Sequence, residues 1–169
     1  EHEDTTHYSV ADKDGNIDYS TYEETIKTEV VKKIGTTENG DNTQVRASGK
    51  DYANFNSVSS IDLAVEVVAF PVEDLAKMRG EEVSKSGLAS SGGTKERPYF
   101  AYGKVVKKVG GGIRYDWFPK CQLIENTDDI ETSDESFSEQ NDTVTIRAYP
   151  FNEAGDIKNY VDNEMTSFP

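Results

Sequence analysis

The chain has 169 residues, one domain's worth of sequence, and only 34% of them are apolar. Leu, Ile, Val and Phe together make up 21%, just above the level at which a highly charged chain stays disordered, so a lean core with long loops is expected. Thirty-two acids against 18 bases give a net charge of −14, which repels nucleic-acid phosphates and anionic membrane surfaces and excludes a DNA-reading role.

The kind of apolar residue sets the fold class. Val, Ile and Thr number 38 and Leu, Met and Ala only 16, and branching at Cβ suits a pleated surface better than a helix. A mainly β protein follows. Along the chain, Glu1 to Asp4 reads as a polar tail and His7 to Ala11 as a short strand closed by turn-forming residues from Asp12 to Asn16. Between Tyr22 and Ile34, the spacing of Ile26, Val30 and Ile34 fits either a helical stripe or one face of a strand. Thr21, Thr25, Thr28, Val30 and Val31 favour the strand. Gly35 to Asn42 (GTTENGDN) reads as a hairpin turn into a strand from Thr43 to Ala47, and Lys50 to Ser59 as a loop.

The clearest element follows. Ile61, Leu63, Val65 and Val67 alternate with Ser60, Asp62, Ala64 and Glu66, the pattern of a half-buried strand. Pro71 is expected as the first residue of a short helix with acids Glu73 and Asp74 in its first turn. Leu75 and Met78 share one face of that helix, and Gly80 stops it. A Ser- and Gly-rich loop spans Glu81 to Arg97. Tyr99 to Val109 and Ile113 to Ile124 read as a hairpin across three glycines. From Glu125 to Asp142 there are eight acids and no base, the composition of a solvated connection, and Asp142 to Tyr149 is a last strand. Residues 1–150 thus form one β-rich domain, and 151–169 a polar C-terminal arm with apolar anchors at Ile157, Tyr160, Val161, Met165 and Phe168.

The chemistry-bearing residues are few. Oxygen donors between Asp12 and Glu23 fall at the spacing of a calcium-binding EF-hand loop. However, Ile17 stands where the sharp turn needs Gly, and Tyr19 where a branched apolar residue is usual. An acidic turn accounts for the same residues, so no metal is expected. Both histidines, His2 and His7, lie near the start of the chain, where no rigid scaffold holds a base. Cys121 sits in a predicted strand with no histidine nearby, which suits a buried thiol. No phosphate-binding loop, dinucleotide fingerprint or nucleophile elbow is present. No catalytic residue, no cofactor and no enzymatic activity are expected. The longest apolar stretch, Val67 to Phe70, is too short to span a bilayer. With no signal-like opening and a single cysteine, folding in a reducing cytoplasm is the expectation.

Two functions fit such a chain: a subunit of a structural assembly, and a small acidic β-sandwich that binds or adheres at a virion or cell surface. Segments of this length outside the core favour the first, because interlocking subunits order such segments against their neighbours. The succession of elements points the same way. Ser59 to Val67 (SSIDLAVEV) precedes Pro71 to Gly80 (PVEDLAKMRG), then Pro98 to Lys108 (PYFAYGKVVKK) and Ile113 to Cys121 (IRYDWFPKC). This ordered set, over roughly residues 22–150, resembles the major tail protein, or tail tube protein, of long-tailed bacteriophages of Gram-positive hosts. The acid-rich stretch from Glu125 to Glu139 lies where that family carries a similar segment.

The resemblance implies a β-sandwich or partial barrel with one short flanking helix, a fold shared with the type VI secretion tube protein. It also implies hexameric rings, stacked into a tail tube through which DNA passes during ejection without specific binding. Partners would be further copies of the chain and tail components such as tape measure and terminator proteins, with no membrane. The place would be the virion tail, assembled in the host cytoplasm. Candidate assembly residues are Lys50, Tyr52, Phe55, Val83, Leu88, Tyr160 and Phe168; candidate lumen charges are Asp62 and Glu66. For the EF-hand-like run, calorimetric titration with calcium is expected to show no micromolar site, and Asp12→Ala to leave the thermogram unchanged.

Overall fold

The computed structural model describes residues 3–7, 22, 25–28, 31–47, 50–68, 71–81, 83–88, 90, 92, 97–129 and 141–165. The strand predicted from alternation anchors it. Ile61, Leu63, Val65 and Val67 are each at most 3% exposed, whereas Ser60, Asp62, Ala64 and Glu66 are not buried. In chain order the elements are β1 (Glu3–His7), β2 (Ile26–Thr28), β3 (Val31–Ala47), β4 (Lys50–Val67), α1 (Val72–Arg79), β5 (Phe100–Lys107), β6 (Ile113–Asp129), β7 (Asn141–Ala148) and β8 (Asn159–Asp162). The strands form one sheet in the order β2-β1-β5-β6-β7-β4-β3, and β8 joins it beside β6. Every pairing is antiparallel.

The sheet curls. Lys104 Nζ on β5 donates to Thr36 Oγ1 on β3 at 2.9 Å, although β6, β7 and β4 intervene in the sheet. The Tyr22 hydroxyl likewise donates to the Pro119 carbonyl on β6 at 2.8 Å. The architecture is therefore mainly β, a partial barrel made from a single curled sheet with one short helix. Its core joins Leu63 and Val65 to Phe100, Tyr102, Phe118, Leu123, Val144 and Ile146, with Met78 brought in by α1.

Two irregularities shape β6, a strand long enough to serve different neighbours along its length. Its register shifts by one residue against β5 between Phe118 and Cys121, and against β7 between Leu123 and Glu125. Pro119 lies in the first shift, where a residue with no N–H costs the ladder least. The extra residue brings both Phe118 and Cys121 to full burial. The first half of β6 pairs with β5 and β8, the second half with β7.

α1 runs where expected, with one adjustment. Pro71 is the N-cap (φ −56°, ψ 123°) rather than the first helical residue. Glu73 and Asp74 lie at the positive end of the helix dipole, and Lys77 and Arg79 at the negative end. Gly80 closes the helix in the left-handed region (φ 70°), and the Glu81 N–H reaches back to the Ala76 carbonyl at 2.8 Å.

Several expectations need correction. The expected loop Lys50–Ser59 is the first half of β4, and the expected turn Gly35–Asn42 runs unbroken within β3. Ala47 pairs with Lys50, so the chain reverses there instead. Gly, Asn and Thr signal a turn only in isolation; two polar segments that pair satisfy the backbone groups that face each other without any apolar alternation. The same holds for Glu125–Asp129, expected as a connection and found in β6. Glu3 and Asp4, expected as tail, belong to β1, which pairs with β5. Of the expected Tyr22–Ile34 strand, Ile26–Thr28 belongs to β2 and Val31–Ile34 to β3. Within the expected C-terminal arm, Asn159–Asp162 forms β8 on β6, and Ile157 is buried at 6% exposure. Most of the EF-hand-like run lies outside the described residues.

Leu63 and Ala64 test the register. Leu63→Ala empties a fully buried site and is expected to cost about 2–5 kcal/mol in chemical denaturation. Ala64→Thr, on the opposite face, is expected to change stability by less than about 0.5 kcal/mol.

Candidate assembly surfaces

β4 changes its company at Ser60. From Ile61 to Val67 it is flanked by β3 and β7; from Lys50 to Ser60 it pairs with β3 alone. Beyond that point β3 and β4 form a two-stranded arm, about 26 Å long if extended over Gly40–Ala47. A bulge marks its base. Asn39 pairs with Ser60 but Gly40 with Val58, leaving Ser59 as the extra residue. The Ser59 hydroxyl donates to the Asn39 carbonyl at 3.1 Å, and Asn39 Nδ2 donates to Ser60 Oγ at 3.2 Å. Glycine is required at position 40 by close approach: a Cβ there would stand 2.0 Å from the Ser57 carbonyl oxygen.

Three of the candidate assembly residues share this arm. Lys50 is at its tip opposite Ala47, Phe55 lies opposite Thr43, and Tyr52 is the extra residue of a second register shift near the tip. Val83 and Leu88 lie elsewhere, exposed in the segment after α1, where Ser84 N–H bonds the Leu88 carbonyl at 2.9 Å. Tyr160 is exposed on β8, and Phe168 lies outside the described residues. The structure thus gathers Lys50, Tyr52 and Phe55 and leaves Val83, Leu88 and Tyr160 apart.

Both candidate lumen acids are on β4, on the face away from Leu63 and Val65. Asp62 is engaged there. Directly opposite on β7, Arg147 holds it by two bonds, Nε to Oδ1 at 2.7 Å and Nη2 to Oδ2 at 3.0 Å. This guanidinium lowers the Asp62 carboxyl below its usual range, and the carboxylate in turn raises Arg147. The sequence hides the pair, because the partners are 85 residues apart. A second knot ties the expected C-terminal arm to the sheet: Lys108 bonds Asp162 and Glu164, the latter at 2.9 Å. Asp162 raises Lys108, and Lys108 lowers Asp162.

Cys121 is fully buried, with Sγ 3.5 Å from the Phe118 carbonyl oxygen. Burial pushes its thiol strongly upward, which suppresses the thiolate that any nucleophilic role requires. Among the described residues no three His, Cys, Asp or Glu side chains converge for a metal.

No protein-family model and no curated protein matches the chain. Solved structures do. A chain of the anti-feeding prophage (AFP) baseplate, from a six-fold symmetrised cryo-electron-microscopy structure, superposes with a TM-score of 0.51 at 8% identity, covering 97% of this chain and 94% of that one. Hcp1 from Flavobacterium johnsoniae gives a TM-score of 0.38 at 13% identity, over 95% of this chain and 98% of its own. The first of these likenesses is one of fold, and it extends over nearly the whole length of both chains.

The Arg147–Asp62 pair yields a prediction with a defined sign. Because the folded-state carboxyl is lowered, its contribution is complete above the unfolded value of about 3.9 and lost as pH falls through the folded one. Arg147→Met is expected to cost up to about 1 kcal/mol at pH 7, since both partners are partly exposed. In urea titrations the gap between the two proteins should stay constant down to about pH 4 and narrow below it.

Proposed function

We propose that the chain is a structural tail-tube subunit that assembles with copies of itself into hexameric rings, which stack into a conduit for DNA. The observation that supports this most is the arm built from β3 and β4. An exposed pair of strands presents two rows of backbone donors and acceptors, which a monomeric protein covers or blunts. A neighbouring subunit that pairs with these edges, or with the long outer edge of β3, satisfies them. A head-to-tail contact of this kind closes into a ring when its rotation closes. The six-fold symmetry of the AFP baseplate supports six as that number.

Charge fits the same proposal. Duplex DNA carries a charge about every 1.7 Å, so a basic wall would hold it along the whole tube. An acidic wall repels it instead, and in a narrow pore the gap is comparable to a Debye length of about 8 Å. Glu66 serves this role better than Asp62, whose charge Arg147 already balances. The phage of a Gram-positive host, the virion tail as the place, cytoplasmic assembly, and tape measure and terminator proteins as partners all belong to this proposal through the sequence resemblance. So does passage of DNA without specific binding.

Gly40 provides the test. Gly40→Val forces the Ser57 backbone aside at the base of the arm, far from the Leu63–Ile146 core. Purified wild-type protein is expected to form rings or tubes under negative-stain electron microscopy as its concentration rises. The variant is expected to keep its β-rich circular dichroism and lose that assembly. Wild-type protein that stays monomeric at the highest concentration, or that binds duplex DNA tightly at physiological salt, overturns the proposal.

A further inference from the structure

The base of the arm carries the only Asn–Gly step in the sequence, Asn39–Gly40. Such a step has a chemistry of its own. The Gly40 nitrogen attacks Cγ of the Asn39 side chain, and the new C–N bond closes a succinimide ring. The Cγ–Nδ2 bond breaks, and the amide nitrogen leaves as ammonia with the proton that the Gly40 nitrogen gives up. Water then hydrolyses the ring at either carbonyl. One opening leaves aspartate at position 39, and the other leaves isoaspartate, whose main chain runs through the former side chain. Nothing is oxidised or reduced. Glycine suits the step because no Cβ obstructs the approach of its nitrogen.

The fold holds both residues in place. Gly40 is required, since a Cβ there would stand 2.0 Å from the Ser57 carbonyl oxygen. Asn39 is half-buried and its amide is engaged. Nδ2 donates to Ser60 Oγ at 3.2 Å, and the amide assists Arg147 in holding the Asp62 carboxyl below its usual range. The Asn39 carbonyl accepts the Ser59 hydroxyl at 3.1 Å. On a paired strand a side chain stands out of the sheet, whereas the next nitrogen lies within the hydrogen-bonded ladder. The ring therefore stays open while Asn39 pairs with Ser60 and Gly40 with Val58. The arm beyond that point is a two-stranded ribbon, and such a ribbon is marginally stable in water by itself. Local opening of the sheet begins where packing is thinnest, and the arm is that place. Opening releases the Asn39 amide from Ser60 and frees the backbone rotation that brings the Gly40 nitrogen to Cγ.

We infer that Asn39–Gly40 is a deamidation site gated by the arm: sealed while β3 and β4 pair at the bulge, reactive when they part. The product is a weaker arm. Either product puts a new carboxylate beside Asp62, where one guanidinium, Arg147, already serves the existing acid. Isoaspartate also lengthens the β3 main chain by a methylene next to the rung where β4 carries its extra residue, Ser59. The bulge accommodates an added residue in β4, not an added atom in β3. Loss of ammonia makes the change permanent, so the site records how long a subunit has spent with its arm able to open. A neighbour that pairs with the arm suppresses that opening and preserves the asparagine. This last step rests on the self-assembly proposed above; the gating does not.

The experiment incubates dilute full-length protein beside a synthetic peptide of residues 35–44, in which the step is unprotected. Peptide mapping by mass spectrometry follows the amide-to-acid conversion at residue 39 in both. The folded protein is expected to convert there, more slowly than the peptide by about tenfold or more. Ser60→Ala removes the acceptor of the Asn39 amide and is expected to raise the rate several-fold, together with hydrogen exchange over residues 40–47. Urea below the global transition opens the arm by a second route, and the wild-type rate should climb with that exchange. Asn39→Asp, the direct product, is expected to exchange faster over residues 40–47 while the core strands stay as protected as in the wild type. A wild-type rate equal to that of the peptide overturns the gate. No conversion after the peptide has turned over completely many times, or a rate that stays flat while exchange in the arm rises, overturns the site. The two proposals fail separately. Gated conversion in a protein that forms no rings at high concentration removes the tube and leaves the site; rings whose subunits convert as fast as dilute protein leave the tube and remove its protection of the arm.

Discussion

The inner face of one strand segment, Ile61 to Val67, is the constraint on which the remaining architecture depends. Four apolar side chains at alternate positions, almost completely removed from water, fix which way β4 faces. β3 and β7 pair with its two edges in register, and β6 pairs with β7 in turn. A slip of one residue would turn Leu63 and Val65 to solvent and bury Asp62 and Glu66 in their place. At about 1.5–3 kcal/mol for each large apolar side chain withdrawn from water, the register needs no further specification. The curl of the sheet then follows from the need to cover this row from the far side, where Phe100, Tyr102 and Phe118 join it in the core.

How much of this was legible in the sequence depended on whether side chains or backbone carried the information. The β4 row and α1 could be read because each rests on a side-chain pattern: alternation in one case, and in the other Pro71, the acids of the first turn and Gly80. The β5–β6 hairpin could be read from its glycines. The arm could not. Its segments GTTENGDN and KDYANFNSVS are rich in residues that form turns when alone, and their strand character comes from a hydrogen-bonded partner. β8 was hidden for the same reason, since Asn159 to Asp162 gains strand geometry from β6. Of the candidate residues, Lys50, Tyr52 and Phe55 were grouped by sequence proximity and remain grouped, although on paired strands rather than in a loop. The pairing of Asp62 with Arg147 left no sequence signal at all, because register alone brings them together.

Charge is unevenly distributed across the molecule. Several cations are committed: Arg147 to Asp62, Lys108 to Asp162 and Glu164, Lys104 and Arg114 to Asp116. Arg147 and Lys104 reach acids on neighbouring strands, Lys108 ties the turn between β5 and β6 to β8 and to Glu164 beyond it, and Arg114 and Asp116 share β6. A buried carboxylate such as Asp116 is costly unless matched, and matching it with two cations from adjacent strands converts that cost into a fixed geometry at one end of the sheet.

The bulge at Gly40 and Ser59 has a consequence for how the chain tolerates change. Below it, β4 is held from Ile61 to Val67 by its core side chains and by β7, and β3 by its pairing with that segment. Above it, the strands answer only to each other. Residues inserted or removed in matched pairs beyond the bulge would lengthen or shorten the arm by one rung at a time, with the pleat of the core undisturbed. A single unmatched insertion would instead turn over every side chain between itself and the tip. The length of the arm is therefore a variable that mutation can adjust independently of the stability of the domain that carries it.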